Sequence, residues 1–104
     1  MPDPRTTEAQ ANSDTPALLI DVRSPGAFVA GHLDGAHNLP LDRLMQRIAR
    51  FAPDRQRALL LYCASGGRSA QGCALLTQLG YTRASNGGGI GALALSSQRT
   101  VRRG

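Results

Sequence analysis

The stretch Leu59-Leu60-Leu61-Tyr62-Cys63-Ala64-Ser65-Gly66-Gly67-Arg68-Ser69 holds the residues best placed to do chemistry. A thiolate, not a thiol, is the nucleophile of a cysteine, so the surroundings of Cys63 decide its reactivity. Gly66 and Gly67 let the backbone curl tightly and point its N–H groups inward. The amides of Ala64, Ser65, Gly66, Gly67, Arg68 and Ser69 then form a cradle of donors around the sulfur. The hydroxyls of Ser65 and Ser69 add hydrogen bonds, although Ser69 equally reads as a helix-start residue. Arg68 either holds an anionic donor or pins the loop through backbone carbonyls or an acidic neighbour. The chemistry expected is nucleophilic attack by a low-pKa thiolate in a cup that attracts anions.

Such a cup needs a rigid base. The apolar run from Ala58 to Tyr62 reads as a buried central strand, with Cys63 at its carboxyl end. A helix from about Arg68 to Leu79 adds its positive N-terminus and buries Ala70, Cys73, Ala74, Leu76 and Leu79. Gly80 supplies its stop. Ala17 to Val22 is a second strand. Ser24 caps a helical turn with Pro25 in first position, ending near Gly31. Gly35 to Leu39 is a short strand stopped by Pro40. From Leu41 to Phe51 the spacing predicts a helix, with Leu41, Leu44, Met45, Ile48 and Phe51 as its core stripe. Tyr81 to Ser85 is the last strand, Asn86-Gly87-Gly88-Gly89 a flexible turn, and Ile90 to Leu95 a short helix. Strands alternating with helices predict an α/β domain: a mainly parallel sheet with helices on both faces. Ligands bind beyond the carboxyl ends of strands in such sheets, which is where Cys63 lies.

The chain has 104 residues, enough for one domain and too few for two. No apolar run is long enough to span a membrane. Residues 1–16 read as a flexible polar leader and lack the apolar centre of a secretory signal. A cytoplasmic location follows, or a periplasmic one if a signal peptide has been removed. All 12 basic side chains are arginine, and the net charge is +5. That field suits a small anionic substrate. No basic run carries interleaved aromatics, which argues against nucleic acid as a partner. Residues 99–104 read as a frayed basic tail. Two cysteines do not make a disulfide framework, and no metal-ligand spacing is present. Cys73 reads as a small core residue. His32 and His37 read as structural.

Cys63-x-x-Gly66-x-Arg68-Ser69 after an apolar strand resembles the active-site loop of the rhodaneses, the thiosulfate and persulfide sulfurtransferases. Leu19-Ile20-Asp21-Val22-Arg23-Ser24-Pro25 resembles the family's first strand and turn. Phe28-Val29-Ala30-Gly31-His32-Leu33-Asp34-Gly35-Ala36-His37-Asn38-Leu39-Pro40 resembles its second signature. Gly80-Tyr81 followed by Gly88-Gly89 resembles its C-terminal part, and the lack of a following Trp resembles the small phage-shock-type members. The resemblance implies a rhodanese-like domain over residues 17–98. It implies a Cys63 persulfide, a small anionic sulfur donor and a thiol or cyanide acceptor. Glutathione and a thioredoxin-like protein both fit as thiol acceptors. It implies a monomer, with no cofactor. Asp21 is expected to tether a neighbouring loop and Arg23 to make a structural ion pair. Ala27 stands where many relatives have a Glu, so the partner of Arg23 is open.

Two other readings compete. A cysteine phosphatase or arsenate reductase also uses Cys, a backbone cradle and Arg, but typically places five residues between them. Here there are four, Ala64 to Gly67. The smaller ring suits a persulfide sulfur better than a tetrahedral phosphate. A non-catalytic binding or sensory module is the other reading, and the presence of Cys63 argues against it.

Overall fold

The computed structural model describes residues 16–104. The segment read as a leader therefore lies, except for Pro16, outside the described residues. Six strands form among these residues: β1 (Leu18–Asp21), β2 (His32–Leu33), β3 (His37–Asn38), β4 (Leu59–Cys63), β5 (Ala84–Gly89) and β6 (Val101–Arg102). Four α-helices alternate with them: α1 (Pro25–Ala30), α2 (Leu44–Phe51), α3 (Gly67–Gln78) and α4 (Ile90–Ser97). A single 3-10 turn, Leu41–Arg43, leads into α2.

Strands β3, β1, β4 and β5 line up in that order as one parallel sheet. Successive side chains of β4 point to opposite faces, so one strand feeds two cores. Leu59, Leu61 and Cys63 join Ile20, Val22, Leu44, Ile48, Leu76 and Tyr81 on one face. Leu60 and Tyr62 join Leu19, Leu33 and Leu93 on the other. Helices cover both faces, the expected α/β arrangement, and this double covering explains why β4 is apolar at nearly every position.

Local chemistry sets several boundaries. Ser24 Oγ accepts the Ala27 N–H at 3.2 Å and caps α1, with Pro25 at its first position. Gly80 takes φ +94 and turns the chain after α3, and the Tyr81 amide donates back to the Leu76 carbonyl. Tyr81 then anchors the core: its hydroxyl donates to the Ala52 carbonyl, and the Arg55 guanidinium sits 4.7 Å over its ring. His32 stacks on Phe28 at 3.8 Å, and His37 tilts against Phe51 at 5.3 Å.

The structure corrects four expectations. In α2 only Leu44 and Ile48 are buried; Met45 is 44% and Phe51 39% exposed, so the buried stripe is narrower than the spacing predicts. In α3 the buried face is Ser69, Gly72 and Leu76, while Ala70 and Ala74 are exposed and Cys73 is half-buried. Gly72 sets this rotation. A Cβ there would stand 2.7 Å from Leu61 Cδ2, so the helix backbone lies directly on β4. The last strand begins at Ala84 rather than Tyr81 and runs through Asn86-Gly87-Gly88-Gly89, the run read as a flexible turn. Finally, residues 99–104 are not simply frayed. Val101–Arg102 pairs antiparallel with β2, and Arg102 Nε meets Asp34 Oδ1 at 2.8 Å.

At the end of β1, Asp21 is fully buried. Its carboxylate receives Arg23 Nε at 3.0 Å and Nη2 at 2.7 Å, and the Arg23 amide at 2.9 Å. Asp21 is therefore the partner of Arg23, and the missing Glu at position 27 is not needed. Arg23 also donates to the Gly31 carbonyl. Asn38 Nδ2 donates to the carbonyls of Asp21 and Arg23, each at 3.0 Å. Together these bonds fix the turn between β1 and α1 against β3. Replacing Asp21 with Ala leaves the largely buried Arg23 guanidinium with the Gly31 carbonyl but no counter-charge. A loss of about 3 kcal/mol in urea unfolding is expected, the usual scale for breaking a buried pair.

Candidate active site

Cys63 closes β4, and its register with β5 shows how the cup is built. Leu61 faces Asn86, yet Cys63 faces Gly89, so β5 carries one extra residue across this interval. The bulge pushes the glycine run against the end of β4. A Cβ on Gly89 would stand 2.6 Å from the Ala64 carbonyl oxygen, and one on Gly87 would stand 3.1 Å from that of Leu61. Glycine is thus required by close approach rather than by flexibility.

Beyond Cys63 the chain folds back over the sulfur. Gly66 takes φ +97, the left-handed conformation, as the cap residue of α3. This turn aims its amide at Cys63 Sγ, N to S 2.8 Å. Ser69, fully buried one helical turn on, brings its Oγ to 3.4 Å from the sulfur. Cys63 itself is only 1% exposed. Burial pushes its pKa up, but the Ser69 hydroxyl and the amides of Ser69, Ser65 and Gly66 outweigh it and lower the thiol to about 7. Cys73, with burial alone acting on it, has its pKa raised. The sulfur at position 63 is therefore the readily ionised one.

The six cradle residues are not equivalent. Gly66, Ser65 and Ser69 act on the sulfur. Ala64 supplies the carbonyl that abuts Gly89. Gly67 takes the first position of α3, with open space where a Cβ would stand. The Arg68 guanidinium makes no hydrogen bond among the described residues; it lines an open cleft with Val22, Ser24, Pro40, Leu41 and Asp42. Loop-pinning through carbonyls is thus not its arrangement here. Asp21 and Arg23 stand at the end of the neighbouring strand, paired with each other.

One residue of the site was missed by sequence reasoning. Asn86 Nδ2 donates to the Gly66 carbonyl at 3.1 Å, and its Oδ1 accepts the Gly88 amide at 2.9 Å and the Ser69 hydroxyl at 2.6 Å. The side chain ties β5 to the cup at two points. It also engages Ser69, whose single hydroxyl proton has three acceptors in reach: Asn86 Oδ1, the Gly66 carbonyl at 3.1 Å and the sulfur. Rotation of that proton onto sulfur stabilises the thiolate. The available signal was the one amide side chain opening an otherwise side-chain-free run.

Replacing Ser69 with Ala removes a bond that favours the thiolate, so the thiol pKa should move up from about 7 toward its ordinary value. The thiolate fraction near neutral pH then falls. The rate of alkylation by iodoacetamide against pH should show a right-shifted curve that rejoins the parent at alkaline pH.

A parallel sheet with a cysteine at a strand's carboxyl end, its sulfur met by the Gly66 amide and the Ser69 hydroxyl, defines a cysteine-loop α/β protein. Within that class, the model of the rhodanese-like domain matches residues 5–92, and the chain belongs to this family. The match begins inside the segment read as a leader. Thiosulfate sulfurtransferase PspE of Escherichia coli is 38% identical over 76 residues, 73% of each chain. A sulfurtransferase of Allochromatium vinosum is 41% identical over 78 residues, 74% of this chain and 71% of the relative. Among solved structures, a rhodanese with anions from E. coli superposes with a TM-score of 0.79 at 34% identity, covering 86% of this chain and all of the other. Among the described residues, no helix is long and apolar enough to cross a membrane.

Proposed function

We propose that this chain moves a sulfane sulfur from thiosulfate, or from a persulfide, to a thiol or to cyanide. The observation that carries the reading is Cys63 Sγ under the Gly66 amide at 2.8 Å, with its pKa lowered to about 7. Near neutral pH such a sulfur is both substantially ionised and still basic enough to attack. The relatives named thiosulfate sulfurtransferase support thiosulfate as donor.

The Cys63 thiolate attacks the outer sulfur of thiosulfate. A new S–S bond forms, the old one breaks, and sulfite leaves with the bonding pair. The persulfide anion on Cys63 then sits under the amides that first held the thiolate, and those amides need no rearrangement. A thiolate or cyanide attacks the terminal sulfur, takes it as a persulfide or thiocyanate, and returns the Cys63 thiolate. No external oxidant or reductant is needed, because the oxidation of the acceptor is balanced by the reduction of thiosulfate to sulfite.

The phosphatase reading has less support. Its cradle must surround three equatorial phosphoryl oxygens, whereas the amides here converge on one sulfur. A binding module without catalysis would not need a thiol tuned downward against burial. The test is paired: thiocyanate release from thiosulfate and cyanide, and phosphate release from an aryl phosphate, on the same preparation. Thiocyanate with negligible phosphate supports the proposal. Phosphate without thiocyanate favours the phosphatase, and neither favours the binding module.

A further inference from the structure

Among the described residues, eight arginines fall into two groups, and Arg50, Arg83 and Arg103 join neither. Arg23, Arg55, Arg57, Arg99 and Arg102 are committed to the fold, each donating to a carbonyl or carboxylate. Arg43, Arg47 and Arg68 make no side-chain hydrogen bond among the described residues, yet Arg68 of the catalytic loop lines one cleft, and Arg43 and Arg47 line a second that adjoins it. The first cleft, about 330 Å³, has Arg68 at one side and an apolar floor of Val22, Pro40 and Leu41. The second, about 310 Å³, carries Arg43 and Arg47. The two share Pro40 and Asp42, so they adjoin.

Their place in the fold matters. Val22 follows β1, Asn38 ends β3 and Arg68 lies in the first turn of α3, so the clefts lie at the carboxyl end of the sheet, where ligands of α/β folds bind. Their charge is unbalanced. Asp42 is the single carboxylate, and it lies 3.9 Å from Arg43 with both side chains more than half exposed, a pair that neutralises little. Arg43 and Arg47 stand four residues apart, one helical turn, and so present two cations side by side. Thiosulfate has no apolar body to lie on Val22, Pro40 and Leu41. A larger molecule with an aliphatic body and more than one carboxylate matches both the apolar floor and the paired arginines.

We propose that these adjoining clefts bind the sulfur acceptor, and that the acceptor is a small thiol bearing carboxylates, of peptide size. Its carboxylates pair with Arg43 and Arg47, its body lies on Val22, Pro40 and Leu41, and its thiol approaches the cup past Arg68. This rests on the sulfurtransferase reading and specifies its second half-reaction. The acceptor thiolate attacks the terminal sulfur of the Cys63 persulfide, the Cys63–sulfur bond breaks, and the acceptor leaves as a persulfide.

The test separates the half-reactions. The full chain is loaded with thiosulfate, freed of donor, and then unloaded in single turnovers by glutathione, mercaptosuccinate, 2-mercaptoethanol or a reduced thioredoxin. In the Arg43→Gln/Arg47→Gln double variant, loading should be unchanged. Half-saturating glutathione and mercaptosuccinate should rise about tenfold, the scale of losing charge-assisted contacts at an open site, while 2-mercaptoethanol is unaffected. Equal behaviour of charged and neutral thiols would overturn the proposal. So would slower unloading by thioredoxin alone, which would assign the surface to a protein partner. Failure of the parent to load would refute the sulfurtransferase reading instead.

Discussion

Replacing Cys63 with Ser is expected to lower sulfur transfer on the order of a thousandfold or more, the scale of losing a covalent nucleophile. Serine nearly matches cysteine in size, so the buried site at the end of β4 should stay packed. What disappears is the ionisable sulfur. A serine hydroxyl does not ionise near neutral pH, and no base among the described residues bonds to position 63 to help it; the groups that meet the sulfur are the Gly66 amide and the Ser69 hydroxyl, which Asn86 holds. Cys73 cannot substitute. It lies half-buried on α3, and burial pushes its pKa up. Cys73→Ser should therefore transfer sulfur like the parent. Thiocyanate formation measured on both variants, with melting curves to show that each is folded, checks the pair.

The second large effect should come from a single methyl group. Gly66 holds φ +97, where an L side chain is strained by roughly 1–2 kcal/mol, and its Cβ would meet the Gly88 backbone at 3.4 Å. Relief of that strain moves the amide now 2.8 Å from Sγ. Gly66→Ala should slow persulfide formation about a hundredfold, as when one preorganised donor is lost. Gly67→Ala is the control. Its Cβ meets nothing within 4 Å, it lacks the left-handed φ, and it opens a helix. It should react within about twofold of the parent and melt no lower. Single-turnover loading by thiosulfate would show the contrast. Equal rates in the two variants would mean that the Gly66 turn does not aim the donor.

That contrast also marks how far sequence alone reaches. Cys63, the two glycines and the apolar strand before them were legible because each acts through its own backbone or its neighbours. So were the Ser24 cap and the Gly80 stop. Asn86-Gly87-Gly88-Gly89 was not. By local chemistry it is a turn; only its approach to Ala64 and Leu61, more than twenty residues away in the chain, makes it a strand. Asn86 entered the site with that strand and was hidden for the same reason. The rotation of α3 depends on Gly72 meeting Leu61, a contact that a count of apolar positions cannot anticipate. Val101 and Arg102 are too few to read as a strand, and their order comes from β2 and from Asp34. The ion pair of Asp21 with Arg23 was legible in its residues but not in its pairing, since a strand-end Asp reads equally well as the tether of a neighbouring loop.

The central claim is a sulfur carried covalently on Cys63. The most direct measurement is the intact mass of the full chain after incubation with thiosulfate and removal of excess donor. A gain of one sulfur atom is expected, lost again on addition of cyanide, absent from Cys63→Ser and present in Cys73→Ser. A Cys63→Ser protein that still gained the sulfur, or a parent that turned over thiosulfate with no mass gain on the cysteine, would contradict the account.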